Sequence, residues 1–164
     1  MRIENLQDVF HHQLKDLYSA EQQLLEALPK MANAAATPEL TDAFNHHLKQ
    51  TREHFARLEE VSDICNLGIS GENCEAMEGL IDEGEELIGD NKGSDALDAA
   101  LIAAAQRIEH YEIAAYGSAR TYAEQLGFDE AAKILQASLD EEAETDKKLT
   151  KLAEEAINKQ ALKT

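Results

Sequence analysis

The sequence predicts an all-α protein: two helical hairpins packed as a four-helix bundle, joined by one long crossover that carries a short extra helix. Three observations carry this prediction. The chain has 2 prolines in 164 residues, and its long stretches are rich in Ala, Leu, Glu, Gln and Lys, the better helix formers. Four segments repeat apolar residues in alternating steps of three and four, the spacing that lines one face of a helix. The connections between those segments run short, long, short, and a short connection makes its two helices antiparallel neighbours. The length suits a single domain, 1–164, large enough to bury a core.

The first helix is expected over about 5–35, with the stripe Ile3, Phe10, Leu14, Leu17, Glu21, Leu24, Leu28, Met31. Pro29 falls near its end, where a kink is expected. Thr37-Pro38-Glu39 then restarts the chain: Thr37 is a good N-cap, Pro38 fits the first helical position and Glu39 suits the positive end of the dipole. The second helix, 38–67, has the stripe Leu40, Phe44, His47, Thr51, His54, Leu58, Val61, Cys65 and meets a stop signal at Gly68. From 68 to 93 glycines recur, at Gly68, Gly71, Gly79, Gly84, Gly89 and Gly93. This is the crossover, and a helix at 75–88 with Met77, Leu80, Ile81, Leu87 and Ile88 as its apolar edge fits within it. Ser94 caps a helix over 95–126, striped by Leu101, Ala105, Ile108, Glu112, Ala115, Ala119, Tyr122 and Leu126 and ended by Gly127. The last helix, 129–158, carries Leu135, Leu139, Glu142, Asp146, Leu149, Ala153 and Ile157. Two hairpins and one long crossover make the ferritin-like arrangement.

Each stripe is interrupted near its middle by ionisable groups where leucines belong. A lone buried carboxylate is costly unless it is paired, protonated or bound to a cation. One such group on every helix of a bundle points to a shared site inside it. In ferritin-like dinuclear centres two helices each supply a Glu and two supply a Glu-x-x-His pair. Glu21 and Glu112 are the natural single ligands here, Glu109 lies one turn before Glu112, and Glu142 and Asp146 are spaced i, i+4 on one face. His54 is the best candidate on the second helix, with His47 as an alternative. That helix has no Glu in the right phase: Gln50 stands four residues before His54, and Glu53 points about 100° away from it. Taken singly, Glu109 is equally well read as a boundary residue whose head snorkels to water. His47 alone reads first as a hydrogen-bonded core residue, and Glu142 with Asp146 alone as an acidic surface pair. The coincidence over four helices favours a metal site. His11, His12 and His46 read as surface or edge residues.

The formal net charge is −18, from 33 acidic and 15 basic side chains. A surface this negative repels nucleic acid and anionic lipid, so no nucleic-acid partner is expected. No segment has the roughly 20 apolar residues of a membrane span, and the start, MRIENLQDVF, lacks a signal-peptide pattern. A cytoplasmic protein without a membrane partner is the expectation. Cys65 and Cys74 are too few for a disulfide framework: Cys65 reads as a core residue and Cys74 as a loop residue. The apolar edge from Met77 to Ile88, with alanine faces on several helices, predicts a homodimer.

Four segments then carry a family resemblance. LKDLYSAEQQLLEALPKMA, CEAMEGLIDEGEELI, AALIAAAQRIEHYEIAAYG and LDEEAETDKKLTKLA resemble the YciF branch of the YciE/YciF ferritin-like stress proteins. The EHYEIAAYG segment is the most specific of them, and the likeness extends from about Leu6 to Ala153. The resemblance implies a bundle related to the rubrerythrin core, often dimeric, with a two-metal centre. By position it implies Glu21, His54, Glu109, Glu112, Glu142 and Asp146 as the ligand set, and it departs from the family at Gln50, where Glu is common. The function expected first is a redox metalloprotein with two iron or manganese ions, acting on peroxide or dioxygen and drawing electrons from an external donor. Tyr18 and Tyr111 are placed to hydrogen-bond a ligand there, or are packed core tyrosines. The competing readings are a non-enzymatic stress-related interaction protein with structural or no metal, and a storage or DNA-protecting cage. The acidic surface and the absence of a basic tail disfavour direct DNA protection.

Overall fold

A computed structural model describes residues 2–91 and 94–162. Among these described residues six helices follow in order: α1 (Leu6–Ala34), α2 (Pro38–Cys65), α3 (Glu75–Asn91), α4 (Asp95–Gln125), α5 (Asp129–Leu152) and, after one wide π turn (Ala153–Ile157), α6 (Asn158–Ala161). No strand occurs among the described residues, and none of their helices is long and apolar enough to cross a membrane. Lys92 and Gly93, where the crossover was expected to end, lie outside the described residues.

Local chemistry explains the boundaries. Asn5 caps α1 in a capping box: its side chain accepts the Asp8 N–H at 3.0 Å, and the Asp8 carboxylate accepts the Asn5 N–H at 3.2 Å. Ile3, placed by its spacing on the core stripe, precedes the helix and is 54% exposed. Thr37 begins α2 without a side-chain cap. The turn is held instead by buried Asp98 of α4, whose carboxylate accepts the N–H groups of Ala36 at 2.7 Å and Thr37 at 2.8 Å. α2 stops before Gly68, because Asn66 adopts the left-handed conformation (φ 52°) that closes the helix. Asn is the residue other than glycine that tolerates it best. Gly127 (φ +79°) closes α4 as expected, with Phe128 N–H donating to Ala123 O at 2.9 Å and Gly127 N–H to Glu124 O at 3.1 Å. α5 ends six residues before the expected 158; the π turn that follows, closed by Asn158 N–H donating to Ala153 O, carries buried Ile157 to the core.

The helices pack as two antiparallel hairpins, α1 on α2 and α4 on α5, with α1 against α4 and α2 against α5. α3 lies over the α1–α4 face, tied by Lys30–Glu85 (2.7 Å) to α1 and Arg107–Glu83 (3.5 Å) to α4. The fold is the ferritin-like bundle with one long crossover. α3 turns Met77 fully inward, and Leu80, Ile81, Leu87 and Ile88 pack against the core formed by α1 and α4. The apolar edge invoked for a homodimer is therefore largely spent inside the chain.

The core is in two apolar halves. One half gathers Leu24, Leu28, Leu40, Phe44, Leu101, Ile108 and Leu149; the other gathers Phe10, Leu14, Leu17, Leu58, Val61, Tyr116 and Leu135. Between them lies a layer of buried polar side chains.

Candidate metal centre

All four bundle helices feed this layer, and each does so through its interior stripe. α1 contributes Glu21, between Leu17 and Leu24; α2 contributes His47, Thr51 and His54; α4 contributes Glu109 and Glu112; α5 contributes Glu142. Glu21, His54, Glu112 and Glu142 are 0% exposed, Glu109 is 1% and His47 is 2%. Thr51 Oγ1 donates back to His47 O at 3.0 Å, so its hydroxyl is satisfied within α2.

Ligand-type atoms meet in two groups that share Glu142. One comprises Glu21, His54 and Glu142, the other His47, Glu109, Glu112 and Glu142, and within each group one atom from every residue lies within 4.8 Å of the rest. His54 Nδ1 approaches Glu142 Oε1 at 2.8 Å and Glu21 Oε1 at 3.2 Å. His47 Nε2 approaches Glu109 Oε1 at 3.2 Å and Glu142 Oε2 at 3.7 Å. None of these four approaches is a hydrogen bond. His54 Nδ1, both ring nitrogens of His47, both oxygens of Glu112 and Glu142, Glu21 Oε2 and Glu109 Oε2 lack a hydrogen-bond partner.

Electrostatics follow from burial. Burial first, and then neighbouring carboxylates, raise Glu112 well above the ordinary carboxylate range. Burial pushes Glu109 and Glu142 each up to about 7, and it raises Glu21 against the opposing pull of His54. For His54 burial acts to lower the pKa, but Glu142 and Glu21 outweigh it and raise it to about 11. Without a cation, burial thus favours protonated carboxylates, and the carboxylates in turn favour a protonated His54. Four carboxylates and two imidazoles with orphaned atoms, sealed from water, form a donor set for cations and not for anions.

Of the carboxylates expected as ligands, Asp146 sits outside the two groups. The side chain of Asp146 is 20% exposed, accepts the Gln106 amide at 3.0 Å and lies 3.4 Å from His110 Nδ1. The interior positions of α5 are Leu135, Ser138, Glu142, Thr145 and Leu149, not Leu139 and Asp146. A period of 3.6 admits a step of three or four at each turn, and on α5 the steps fall so that Ser138 and Thr145 take the inward places. Gln50 is half-buried and accepts the Thr145 hydroxyl at 3.2 Å. Of the two readings for Tyr18 and Tyr111, the packed one holds. Tyr18 stacks on Phe55 (centroids 4.4 Å apart) and reaches Glu59, while Tyr111 donates to Asp16 and lies 3.1 Å from Cys74 Sγ. Cys74 is fully buried at the start of α3.

The tyrosine that enters the layer is Tyr116, fully buried, donating to Glu21 Oε1 at 2.5 Å with its ring edge-on to His54. A signal for it existed: Glu109, Glu112 and Tyr116 follow the three-four spacing, which puts Tyr116 one turn after Glu112 beside the main stripe of α4. Glu141 was missed for a different reason. It accepts from His54 Nε2 at 2.7 Å, yet it stands in LDEEAETD, where every acid looks alike.

Comparison with known proteins agrees with this architecture. A family model described as a domain of unknown function (DUF892) matches residues 5–162. Protein YciF of Escherichia coli strain K12 is 49% identical over 162 residues, covering 98% of both chains. The crystal structure of that E. coli stress protein superposes with a TM-score of 0.92 at 49% identity, covering 96% of this chain and 99% of that one. The Rhodopseudomonas palustris protein YcfI follows with a TM-score of 0.86 at 40% identity, over 90% and 94% of the two chains. A Xanthomonas campestris protein shares the fold alone, at 21% identity and a TM-score of 0.78 over 97% of each chain. Alike in sequence over nearly its whole length and alike in fold, this chain belongs to the YciF family.

Proposed function

We propose that the chain is a stress-related protein that holds two divalent ions, iron or manganese, inside its bundle and acts on peroxide or dioxygen. The observation that carries this reading is the shared Glu142. It belongs to both ligand-atom groups, and its two oxygens lie toward different histidines, 2.8 Å from His54 and 3.7 Å from His47. Such a carboxylate is suited to bridge two ions.

Glu21, His54 and Glu142 would hold one ion, and His47, Glu109, Glu112 and Glu142 the other. When bound, such a pair supplies redox chemistry toward small oxygen species. The chain's own residues do the rest. The apolar halves of the core exclude water from above and below the layer. Carboxylates with raised pKa values release protons as cations arrive, and they stand ready to hold protons that the reaction delivers. Tyr116 fixes Glu21 through its hydroxyl. Asp146 accepts from Gln106 of α4 and Gln50 accepts from Thr145 of α5, so both stand at the edge of the layer beside these ligands. Electrons would come from an external donor.

A second reading, a structural metal in a non-enzymatic helical protein, draws on the same seal, since every one of the six side chains is at most 2% exposed. Protein purified without chelator from medium containing iron and manganese separates the two. About two ions per chain with peroxide consumption is the expected result. Two ions without turnover favours the structural role, and no metal with unchanged stability removes the site altogether.

A further inference from the structure

We propose that Glu141, clamped by Arg57, is a positioning residue that holds His54 with Nδ1 facing the cluster. The inference rests on the metal reading and adds to it the device that fixes one of its two histidines. Glu141 is on α5, directly after Asp140 and before Glu142, and its side chain is 26% exposed. It therefore points away from the layer that Glu142 enters. Yet its Oε2 lies 2.7 Å from His54 Nε2, from the outer side of a ring that is itself 0% exposed.

Arg57, one turn after His54 on α2, completes the device. Its guanidinium donates to both Glu141 oxygens, Nη1 to Oε2 at 2.8 Å and Nη2 to Oε1 at 2.9 Å, and Nη1 also reaches Ser138 Oγ at 3.3 Å. A bidentate fork of this kind fixes the carboxylate plane as well as its distance. The ring has two nitrogens, and a partner that accepts from one decides which is free to bind a metal. With Nε2–H donated outward to Glu141, Nδ1 is the nitrogen that faces the cluster, 2.8 Å from Glu142 and 3.2 Å from Glu21, and it is the one that gives up its proton when a cation binds. His47 lacks this support: neither of its ring nitrogens has a hydrogen-bond partner. The two halves of the site are thus unequal. The His54 half is pre-set by a carboxylate–histidine pair, while the His47 half depends on the ion itself for its ring orientation.

The test uses the full chain and Zn(II) as the probe. Zn(II) titration calorimetry on wild type, Glu141→Ala, Glu141→Gln and Arg57→Ala reads the affinity of the tighter site, with Glu144→Gln as a solvent-facing control. Circular dichroism checks that each variant is folded. Glu141→Ala should weaken the tighter site by about 10- to 100-fold, the usual effect of losing an outer partner of a ligating histidine. Glu141→Gln, which keeps an acceptor oxygen, should recover most of that loss. Nitrogen-15 spectra of metal-free wild type should give a His54 Nε2–H signal protected from solvent exchange, and Glu141→Ala should lose the protection. An unchanged signal in Glu141→Ala overturns the proposal, as does affinity within twofold of wild type. If wild type binds no Zn(II), the metal reading fails by itself, while the exchange of the His54 Nε2 proton still decides whether Glu141 anchors the ring.

Discussion

Replacing Glu142 by Gln should remove metal and, in metal-free protein, raise stability. The carboxylate is fully buried, and its pKa of about 7 stands against an ordinary 4.5. At pH 8 the metal-free fold therefore holds an unfavourable charge costing roughly 3 kcal/mol, at 1.36 kcal/mol per pKa unit. Gln keeps the volume and an acceptor oxygen toward His54 but removes that charge. Neighbouring acids exchange protons with Glu142 and absorb part of the gain, leaving about 2 kcal/mol. For a chain of this size each kcal/mol moves Tm by about 2–4 °C, so metal-free Glu142→Gln should melt about 4–8 °C above metal-free wild type. With metal the order reverses: wild type gains stability from bound ions and loses it on chelation, whereas the melting of Glu142→Gln should barely respond to chelator. Glu144→Gln, at an exposed position of the same helix, should behave as wild type. Thermal melts at pH 8 with and without EDTA, together with metal per chain, decide the matter. Equal metal retention in Glu142→Gln and Glu144→Gln, or a lower metal-free Tm in Glu142→Gln than in wild type, would refute the reasoning.

Two further outcomes are expected. Stability of the metal-free protein should fall as pH rises. Glu109 and Glu142, raised from 4.5 to about 7, let the fold bind more protons than the unfolded chain across that interval, which lowers stability as pH increases through it. His54, raised from 6.5 to about 11, contributes stability that is complete below 6.5 and is lost as pH rises through 11, so the slopes agree in sign. One extra proton held by the fold from pH 6 to pH 8 amounts to about 3 kcal/mol; urea melts across pH 5–9 that show rising stability would contradict this. Asp98→Ala should remove the carboxylate that accepts from both Ala36 N–H and Thr37 N–H and cost about 2–4 kcal/mol, two hydrogen bonds to a charged acceptor, without altering metal content, a loss that thermal melts read directly.

The helical class, the two hairpins, the crossover and the polar layer were all legible in the sequence. The stripe of α2, from Leu40 to Cys65, matches the buried residues of that helix one for one. Such patterns survive because the period of a helix is a property of the backbone and because a charged group amid leucines breaks the pattern visibly. The limits of this reading are equally physical. On α5 a step of three or four is equally helical, and only packing against α4 and α2 decided that Thr145 faces inward and Asp146 outward. The π turn at Ala153–Ile157 leaves no mark in composition. The pairing of Tyr116 with Glu21 joins residues 95 apart, and that of Glu141 with Arg57 joins residues 84 apart. Local periodicity names the face on which a side chain lies. Which groups on different helices come within hydrogen-bonding distance depends on the rotation and axial offset of the packed helices. Those belong to the bundle as a whole, so only the tertiary structure decided that His54 is held from outside by Glu141 and that Glu142 stands between the two histidines.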